Sequence, residues 1–299
     1  MSGPERLVGV ELGGTKAIAI LADGDQITER VTLATQAPAE TLGALRDQID
    51  RWRALWSLQA IGIASFGPLQ LDRGQPDYGT ILATPKPGWS GARVAAMLTD
   101  GFDCPWDIDT DVNGAALAEH LWGAGKGCEA LSYVTIGTGV GGGLLISGRP
   151  VHGAMHPEIG HLRLRRAPGD SFAGACPFHD DCIEGLVCGP ALTQRLGMDA
   201  AAASDDHPAW RYVAWDIAEL CGAILLTTSS ERILFGGSVA LERSFLLPLV
   251  RQILVERLGD YLPFVTAKSA DSIIRAAALG PDAGPMGAIA LAKRAASKA

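Results

Sequence analysis

The side chains best suited to chemistry lie close together in residues 156–186, HPEIGHLRLRRAPGDSFAGACPFHDDCIEGL. Cys176, His179 and Cys182 stand three residues apart in a Pro-containing loop, and His161 precedes them. Two thiolates and two imidazoles are a donor set for tetrahedral Zn²⁺ that leaves no open coordination position. The spacing therefore predicts a structural zinc site, and the alternative is four unrelated loop and core residues.

The other cysteines and histidines lack ligand spacing. Six Cys among 299 residues are too few for a disulfide scaffold, which indicates a reduced compartment. Four of these cysteines are predicted to be buried core residues: Cys104, Cys128, Cys188 and Cys221. Three histidines are predicted to be surface or capping residues, with His156 as an alternative contributor to a pocket: His152, His156 and His207.

A glycine turn near the start of the chain has the composition of a phosphate-binding loop. In ELGGTK, Gly13 and Gly14 follow an apolar run and precede Thr15 and Lys16. A Walker A loop has Lys before Thr and a helix after it, and this segment has neither. Glycines let backbone N–H groups approach a phosphate without interference from Cβ, and Thr15 adds a hydroxyl donor. Alone, such a hairpin is more commonly structural.

A second glycine loop changes that interpretation. In GTGVGGG, the residues Gly137, Thr138 and Gly139 repeat the arrangement in the second half of the chain. Two such hairpins facing one another can hold a polyphosphate from both sides, which favours nucleotide binding. FGGSV, with Gly236 and Gly237 after a predicted strand, is a candidate cover for an adenosine.

The segment DIDTDVNGAALAE supplies a candidate proton acceptor. Asp111 falls at the predicted start of a helix, where the helix dipole favours a carboxylate, so helix capping is one interpretation. Beside two phosphate loops, a carboxylate is also what a hydroxyl nucleophile needs to accept its proton during phosphoryl transfer. Asp107 and Asp109 are predicted to be solvated turn residues.

The candidate site residues are separated by segments that predict alternating strands and helices. Segments 7–30 and 131–151 each predict a strand, a glycine turn, a strand, a tight turn and a third strand, which indicates a hairpin opening each of two α/β halves. Apolar spacing predicts helices in PAETLGALRDQIDRWRALW, DVNGAALAEHLWGAGKG, WRYVAWDIAELCGAILLTTS and DAGPMGAIALAKRAASKA. These elements predict two lobes with a cleft between them. The first lobe contains residues 1–115 and is completed by a C-terminal helix, 283–299. The second contains residues 116–282 and includes the zinc knuckle, 156–186.

Composition excludes several classes of protein. The chain is 47% hydrophobic and 19% charged with a net charge of −8, which is ordinary for a globular protein and gives no reason to expect nucleic acid or membrane partners. The start, MSGPERLVGVELGG, lacks a secretion signal, and no apolar run approaches the ~20 residues that span a bilayer. A cytoplasmic location is predicted.

In order along the chain, the motifs resemble the sugar kinases of the ROK (repressor, open reading frame, kinase) family. ELGGTK, SFGP, DVNGAALAE, GTGVGGG, HPEIGH and CPFHDDCIEG carry this resemblance from residue 7 to about residue 290. YGTILATPKPGW (78–89), HPEIGH and CPFHDDC are similar to the bacterial fructokinase branch. These longer strings are much more specific than a glycine loop.

The resemblance implies the two-lobed actin-like ATPase (ribonuclease H-like) fold, ATP with Mg²⁺, and transfer to the 6-hydroxyl of a hexose. It implies that Asp111 is the general base and that further residues line the sugar pocket: Gly67, Pro68, Glu158, His161 and Glu184. A homodimer is expected. The family's usual Asp in the first phosphate motif is Glu11 here, and its Asn before the catalytic Asp is Thr110 here. TPKPGW, ending in Trp89, is a lid over the sugar or an ordinary surface loop.

The zinc and sugar sites are predicted to share residues. Pro157 predicts a helix start that places Glu158 and His161 on one face. If one nitrogen of His161 binds zinc, the other is free to face a sugar hydroxyl, so the metal would hold the pocket wall. Both phosphate hairpins lie outside the knuckle, so loss of zinc is expected to affect ADP affinity much less than sugar binding.

The predicted function is an ATP-dependent hexose kinase that makes fructose 6-phosphate. The first alternative is a kinase for mannose, glucose or an N-acetylhexosamine, which differs only in pocket details. The second is a sugar-responsive repressor, which needs a DNA-binding segment before a first strand that here begins near Leu7. The third, a non-catalytic zinc-binding interaction protein, leaves Asp111 and both glycine loops unexplained.

Overall fold

The computed structural model describes residues 6–298 and divides the chain into two units. Unit 1 contains the chain up to Trp122, Arg149–Pro157 and the chain from Asp282, and unit 2 contains Gly123–Gly148 and Glu158–Pro281. The predicted boundary after residue 115 would cross a helix that the structure keeps whole within unit 1. Among residues 6–298, no helix combines the length and apolar character needed to cross a bilayer.

The strands of the described residues form two sheets. In chain order they are β1 (Arg6–Leu12), β2 (Lys16–Asp23), β3 (Gln26–Ala34), β4 (Leu58–Ser65), β5 (Trp106–Thr110), β6 (Ala130–Ile136), β7 (Val140–Ile146), β8 (Arg149–Pro150), β9 (Arg232–Gly236) and β10 (Ile274–Ala276). The first sheet has the order β3-β2-β1-β4-β5 and the second β10-β9-β6-β7-β8. In each sheet, an antiparallel hairpin (β1–β2 or β6–β7) is extended by parallel strands, as the two similar sequence segments predict.

Helices flank these strands. In chain order they are α1 (Pro38–Leu55), α2 (Val94–Thr99), α3 (Asp111–Trp122), α4 (Ile183–Val187), α5 (Gly189–Leu196), α6 (Trp210–Thr228), α7 (Ser238–Glu242), α8 (Leu246–Leu258), α9 (Ala270–Ile273) and α10 (Ala283–Ala296). Short 3₁₀ turns form at Ile159–His161 and Gly280–Asp282. All four helices predicted from apolar spacing are present, although α3 ends at Trp122, before the predicted limit of residue 127.

The central strands of the first sheet are buried on both faces, whereas its edge strand β3 is largely exposed. Strands β1, β2 and β4 are therefore almost continuously apolar, as is typical of central strands. One hydrophobic cluster packs α1 and α2 against this sheet and includes the buried Trp52 and Trp89. A second cluster packs α10 against it through Ile289 and Ala292. The C-terminal helix thus belongs to the core of unit 1.

Glycines allow α10 to approach α3 and β4 closely. A Cβ at Gly62 on β4 would collide with the backbone of Ala288 and Ala292, and one at Gly287 would collide with the backbone of Gly114 on α3. Only glycine permits this spacing at these positions. The contact holds α3, whose first residue is Asp111, in a fixed position on the sheet.

Candidate functional site

Three neighbouring parallel strands of unit 1 bring the predicted catalytic segments to one edge of the sheet. The last residues of β1, β4 and β5 are in register, with Leu12 opposite Ser65 and Ser65 opposite Thr110. The glycine turn, the SFGP turn and Asp111 directly follow these three strands. The carboxyl ends of parallel strands are where α/β sheets bind ligands.

The first glycine turn is held by backbone and side-chain hydrogen bonds. N of Gly13 donates to O of Lys16 at 3.0 Å, and Oγ1 of Thr35 donates to O of Gly13 at 2.8 Å. N of Thr35 donates to O of Thr15 at 2.9 Å. Nothing lies within 4 Å of the position that a Cβ on Gly14 would take, so a ligand can approach the backbone there.

Asp111 does not act as the side-chain cap of α3. Oγ1 of Thr110 accepts a hydrogen bond from N of Asn113 at 3.1 Å, which is the contact that an N-cap residue makes. Oδ1 of Asp111 accepts from N of the adjacent Val112 at 2.9 Å. Burial raises the pKa of Asp111 to about 6. A carboxyl with this pKa is ionised at neutral pH and can still accept a proton readily.

Glu11 places a second carboxyl near Asp111. Burial, with the negative charge of Asp111 as the next cause, raises the pKa of Glu11 to about 7. Oε2 of Glu11 is buried and has no hydrogen-bond partner among the described residues. A Cβ at Gly284 would collide with this carboxylate, so glycine is required there for Glu11 to fit. An orphaned carboxylate oxygen beside a second acid suits a hard divalent cation.

The prediction that Asp107 and Asp109 are solvated turn residues is wrong. Both lie on β5 and are 1% and 0% exposed. Asp107 pairs with three cations: Nε of Arg294 at 2.7 Å, Nζ of Lys298 at 3.2 Å, and Arg73. Two of these cations follow Asp107 by more than 180 residues in the sequence, so no local pattern could indicate them.

Asp109 organises a buried network beside Asp111. Its Oδ1 accepts from Nδ2 of Asn113 at 2.7 Å and lies 3.1 Å from Nε2 of His152, and its Oδ2 accepts from Arg294 at 3.2 Å. Burial of Asp109 acts to raise its pKa. The opposing effects are larger in sum and hold the pKa below its usual value: the hydrogen bond and charge of His152, then the charge of Arg294 and the hydrogen bond from Asn113. His152 is exposed, as the sequence predicted, and its ring also contacts this network from the surface.

His156 is buried, which corrects its prediction as a surface or capping residue. It is 6% exposed, and its Nε2 accepts from N of Leu69 at 3.0 Å. Burial lowers the pKa of His156, which keeps the ring neutral and able to accept this bond. The ring also lies 3.4 Å from the position of a Cβ on Gly67. His156 thus shapes the turn that contains Gly67 and Pro68.

Unit 2 repeats the strand-end arrangement at its own glycine loops. N of Gly137 donates to O of Gly139 at 2.9 Å, and N of Gly189 donates to O of Gly137 at 2.7 Å, with Thr138 at the tip of the turn. Because β6 and β9 are parallel, with Thr135 opposite Gly236, the FGGSV turn lies beside this hairpin.

Glycine is required in that neighbouring turn. Gly237 has a φ of +84°, and a Cβ there would collide with O of Ile136. A Cβ at Gly236 would collide with the hydroxyl of Tyr133. The sequence predicted that both glycines lie beside a nucleotide, and the structure brings them next to the second glycine hairpin.

The four predicted zinc ligands converge. One donor atom each of His161, Cys176, His179 and Cys182 lie within 4.8 Å of one another. Nδ1 of His161 is 3.6 Å from Sγ of Cys182 and 3.9 Å from Sγ of Cys176, and Nδ1 of His179 is 4.0 Å from the latter sulfur. Bonds of about 2.3 Å to sulfur and about 2.0 Å to nitrogen around a tetrahedral Zn²⁺ give separations close to these.

The knuckle is built by its backbone as well as by these donors. N of Cys176 donates to O of Asp180 at 3.1 Å, and N of Asp180 donates back to O of Cys176 at 3.0 Å. A Cβ at either Gly174 or Gly185 would collide with O of Asp180. Burial, followed by the neighbouring Cys176, raises the pKa of Cys182 to about 11, and a cation bound between these donors would stabilise the thiolate.

No α-helix starts at Pro157, which corrects the prediction for this segment. Only the 3₁₀ turn Ile159–His161 forms, and Glu158 before it has a non-helical φ of −117° and ψ of 61°. The segment packs closely on β7 instead. Gly160 lies so near this strand that a Cβ at its position would collide with O of Val140. Nδ1 of His161 faces the cysteine sulfurs, which leaves Nε2 on the opposite edge of its ring.

Glu184 lies against the second glycine hairpin. Its Oε2 accepts from N of Val140 at 3.0 Å and lies 2.7 Å from the position of a Cβ on Gly139. Glu184 follows the ligand position Cys182 by two residues. The knuckle is therefore connected to the glycine loop through one side chain, a link that sequence spacing did not indicate.

Comparisons with known proteins agree with these motifs. A model of the ROK family matches residues 7–295. A fructokinase of Zymomonas mobilis is 41% identical over 307 aligned positions that cover all of both chains, and a fructokinase of Pediococcus pentosaceus is 36% identical over 96% of this chain and 97% of its own. The crystal structure of a ROK hexokinase from Thermus thermophilus matches 98% of this chain and all of its own, with a TM-score of 0.79 and 28% identity.

Proposed function

Because the chain belongs to the ROK family and has its actin-like ATPase fold, we propose that it is an ATP-dependent sugar kinase whose acceptor is fructose. The observation that carries the proposal is the common strand edge of unit 1. There the glycine turn, the SFGP turn and Asp111 follow three strands in register. A phosphate-binding turn, a sugar-binding turn and a base are the parts that phosphoryl transfer to a hydroxyl needs.

Asp111 is the proposed general base. The 6-hydroxyl oxygen of the sugar attacks the γ-phosphorus of ATP, its proton passes to the Asp111 carboxylate, and ADP leaves with the electrons of the broken P–O bond. Gly13, Gly14, Thr15 and Lys16 are the proposed phosphate contacts in unit 1. In unit 2 they are Gly137, Thr138 and Gly139, with Gly236 and Gly237 as proposed adenosine contacts.

The sugar contacts remain proposals. In unit 1 they are Gly67, Pro68 and Asp111. In unit 2 they are Glu158, His161 and Glu184. The bond from Glu184 to the backbone of Val140 supports an additional role, which is to fix the second glycine loop.

Two metals fit the residues present. Glu11 is the proposed Mg²⁺ ligand, supported by its orphaned Oε2 and by the neighbouring Asp111, and Mg²⁺ would supply neutralisation of phosphate charge. The cluster of His161, Cys176, His179 and Cys182 fits Zn²⁺ in a structural role, because all four ligand positions come from the protein. A homodimer stays a prediction.

The choice of sugar gives the first prediction. Of fructose, mannose, glucose and the N-acetylhexosamines, fructose should have the highest kcat/KM with ATP, with mannose second, because the HPEIGH and TPKPGW strings and two fructokinase relatives all indicate that branch. ADP formation measured on this panel tests it. A tenfold preference for glucose or an N-acetylhexosamine would contradict the fructose assignment and leave the kinase assignment intact.

The pH profile gives the second prediction. Since the pKa of Asp111 is raised to about 6, its basic form is lost as pH falls through that value, and kcat/KM for fructose should drop by about tenfold per pH unit below it. The assay should follow ADP directly and use saturating Mg²⁺, which keeps Glu11 ionised. A profile that stays flat down to pH 5 would show that Asp111 is not the base.

A further inference from the structure

Lys86 contacts the first glycine turn, and the proposed mechanism leaves it without a role. It belongs to TPKPGW, and its Nζ donates a hydrogen bond to O of Gly14 at 2.5 Å. The same ammonium lies 5.9 Å from the ring centroid of Phe66, the residue before Gly67. Lys86 therefore bridges the turn proposed for phosphate and the turn proposed for the sugar.

The position of these two turns is fixed by backbone pairing. N of Phe66 donates to O of Leu12 at 2.7 Å, which continues the register of β1 and β4 into the loops. A cation that contacts Gly14 on one side and Phe66 on the other thus lies between the turn proposed for phosphate and the turn proposed for the sugar. This argument uses residues of unit 1 alone.

The charge of Lys86 is not neutralised by a neighbouring acid. Within residues 6–298, its Nζ forms no ion pair with a carboxylate, and its hydrogen bond to O of Gly14 is exposed to solvent. A hydrogen bond from an ammonium to a neutral carbonyl is weaker than one to an anionic oxygen. The electrostatics of this position favour an anionic ligand.

The loop that carries Lys86 is anchored to the core of unit 1 by its tryptophan. Trp89 is 1% exposed, its Nε1 donates to O of Gln36 at 2.9 Å, and its ring packs edge-on against Phe66 with centroids 5.1 Å apart. Ser90 and Thr84 close the loop with hydrogen bonds of 3.1 and 3.2 Å. Only the Lys86 side chain needs to move to exchange the Gly14 carbonyl for a ligand.

We propose that Lys86 binds the γ-phosphoryl group of ATP and stabilises its negative charge as it passes to the sugar hydroxyl. The proposal rests on the kinase function proposed above. The ammonium exchanges its bond to O of Gly14 for one to a non-bridging phosphoryl oxygen. No proton moves to or from Lys86, because Asp111 takes the proton of the hydroxyl and ADP keeps the electrons of the broken bond.

Lys86→Met, which keeps the length of the side chain and removes its charge, should lower kcat by ~10²- to 10³-fold, the cost of losing one preorganised donor to a transition state. The variant should bind AMP-PNP about tenfold more weakly than the unchanged chain while ADP affinity stays within about twofold, since only AMP-PNP has a γ-phosphoryl group. Lys86→Arg should retain more activity than Lys86→Met. The control is Lys268→Met at an exposed lysine.

The outcomes separate the possible roles. If Lys86→Met keeps kcat within threefold of the unchanged chain, Lys86 does not act on the transferred group. If the variant loses affinity for ADP and AMP-PNP equally, Lys86 only supports the glycine turn and the proposal is wrong. If the unchanged chain phosphorylates no hexose, the kinase function itself fails, and that result precedes any comparison of variants.

Discussion

Replacement of Asp111 by Asn should lower kcat by at least ~10²-fold, the lower end for loss of a general base, while ADP binding is retained. The amide keeps an oxygen that can accept from N of Val112, and the cap of α3 is made by Thr110, so the helix start should not change. The loss then reports the missing proton acceptor. Steady-state rates with fructose, together with calorimetric titration of ADP, would measure both quantities.

The same substitution should make the protein more stable at neutral pH. A folded-state pKa raised from 3.8 to about 6 means that the ionised carboxylate opposes folding. This penalty is absent below about pH 4, develops as pH rises through 6, and reaches at most about 3 kcal/mol. Asp111→Asn should therefore raise the unfolding midpoint at pH 8 and leave it nearly unchanged at pH 4.

Asp103→Asn, at an exposed acid in the loop before β5, is the matched control for both measurements and should change neither rate nor stability. Near-normal kcat in Asp111→Asn would remove Asp111 from the mechanism, whatever its effect on stability. A lower kcat accompanied by a lower unfolding midpoint would instead indicate damage to the start of α3.

Local sequence patterns predicted the parts of the site that depend on local structure. The zinc donors stand within one loop, apart from His161, so their spacing alone brought them together. The two glycine hairpins were predicted for the same reason, since a tight turn between apolar strands determines its own geometry. The helix start at Asp111 also follows from local residues, because Thr110 and Asn113 are three positions apart.

Contacts between distant segments could not be predicted in this way. Asp109 looked like a turn residue because its partners Arg294 and His152 follow it by 185 and 43 positions. His156 looked exposed because its hydrogen bond to Leu69 spans 87 positions. A charged or imidazole side chain can be predicted to be buried only if its partner is known, because burial without a partner is costly. These partners come from α10 and from residues 149–157, which pack in unit 1.

The segment around Pro157 shows a different limit. Proline at a first helical position and polar residues three apart favour a helix, but Gly160 is pressed against O of Val140 and Ile159 packs on Gly142. Packing against β7 outweighs the local preference, which is weak for so short a segment. The sequence therefore predicted candidate site residues in this segment but not the backbone conformation that they adopt.

Loss of the metal from the knuckle should abolish sugar phosphorylation. Cys176→Ser removes one of four ligands, and structural zinc contributes folding free energy on the order of 10 kcal/mol in small zinc peptides, enough to disorder a loop of this size. Elemental analysis should find about one zinc per chain in the unchanged protein and much less in the variant. Cys104→Ser, at a half-buried cysteine that is not one of the four ligands, should keep both zinc and activity.

The structure changes the expected effect of zinc loss on nucleotide binding. Sequence spacing placed both phosphate hairpins outside the knuckle, which predicted a much smaller effect on ADP affinity than on sugar binding. The contact from Oε2 of Glu184 to N of Val140 and the packing of Gly160 on the same residue connect the knuckle to the second hairpin. Disorder in the knuckle should therefore weaken ADP binding as well as sugar binding.

Chelation of zinc from the unchanged protein, followed by its return, gives a test that does not depend on how well Cys176→Ser folds. Calorimetry with fructose and with ADP should show both affinities falling on chelation and recovering when zinc is restored. Glu184→Gln should weaken ADP binding while zinc stays bound, because an amide oxygen is a poorer acceptor for N of Val140 than a carboxylate. A zinc-free protein that phosphorylates fructose normally would refute the coupling, and one that loses sugar binding but keeps full ADP affinity would show that Glu184 does not transmit it.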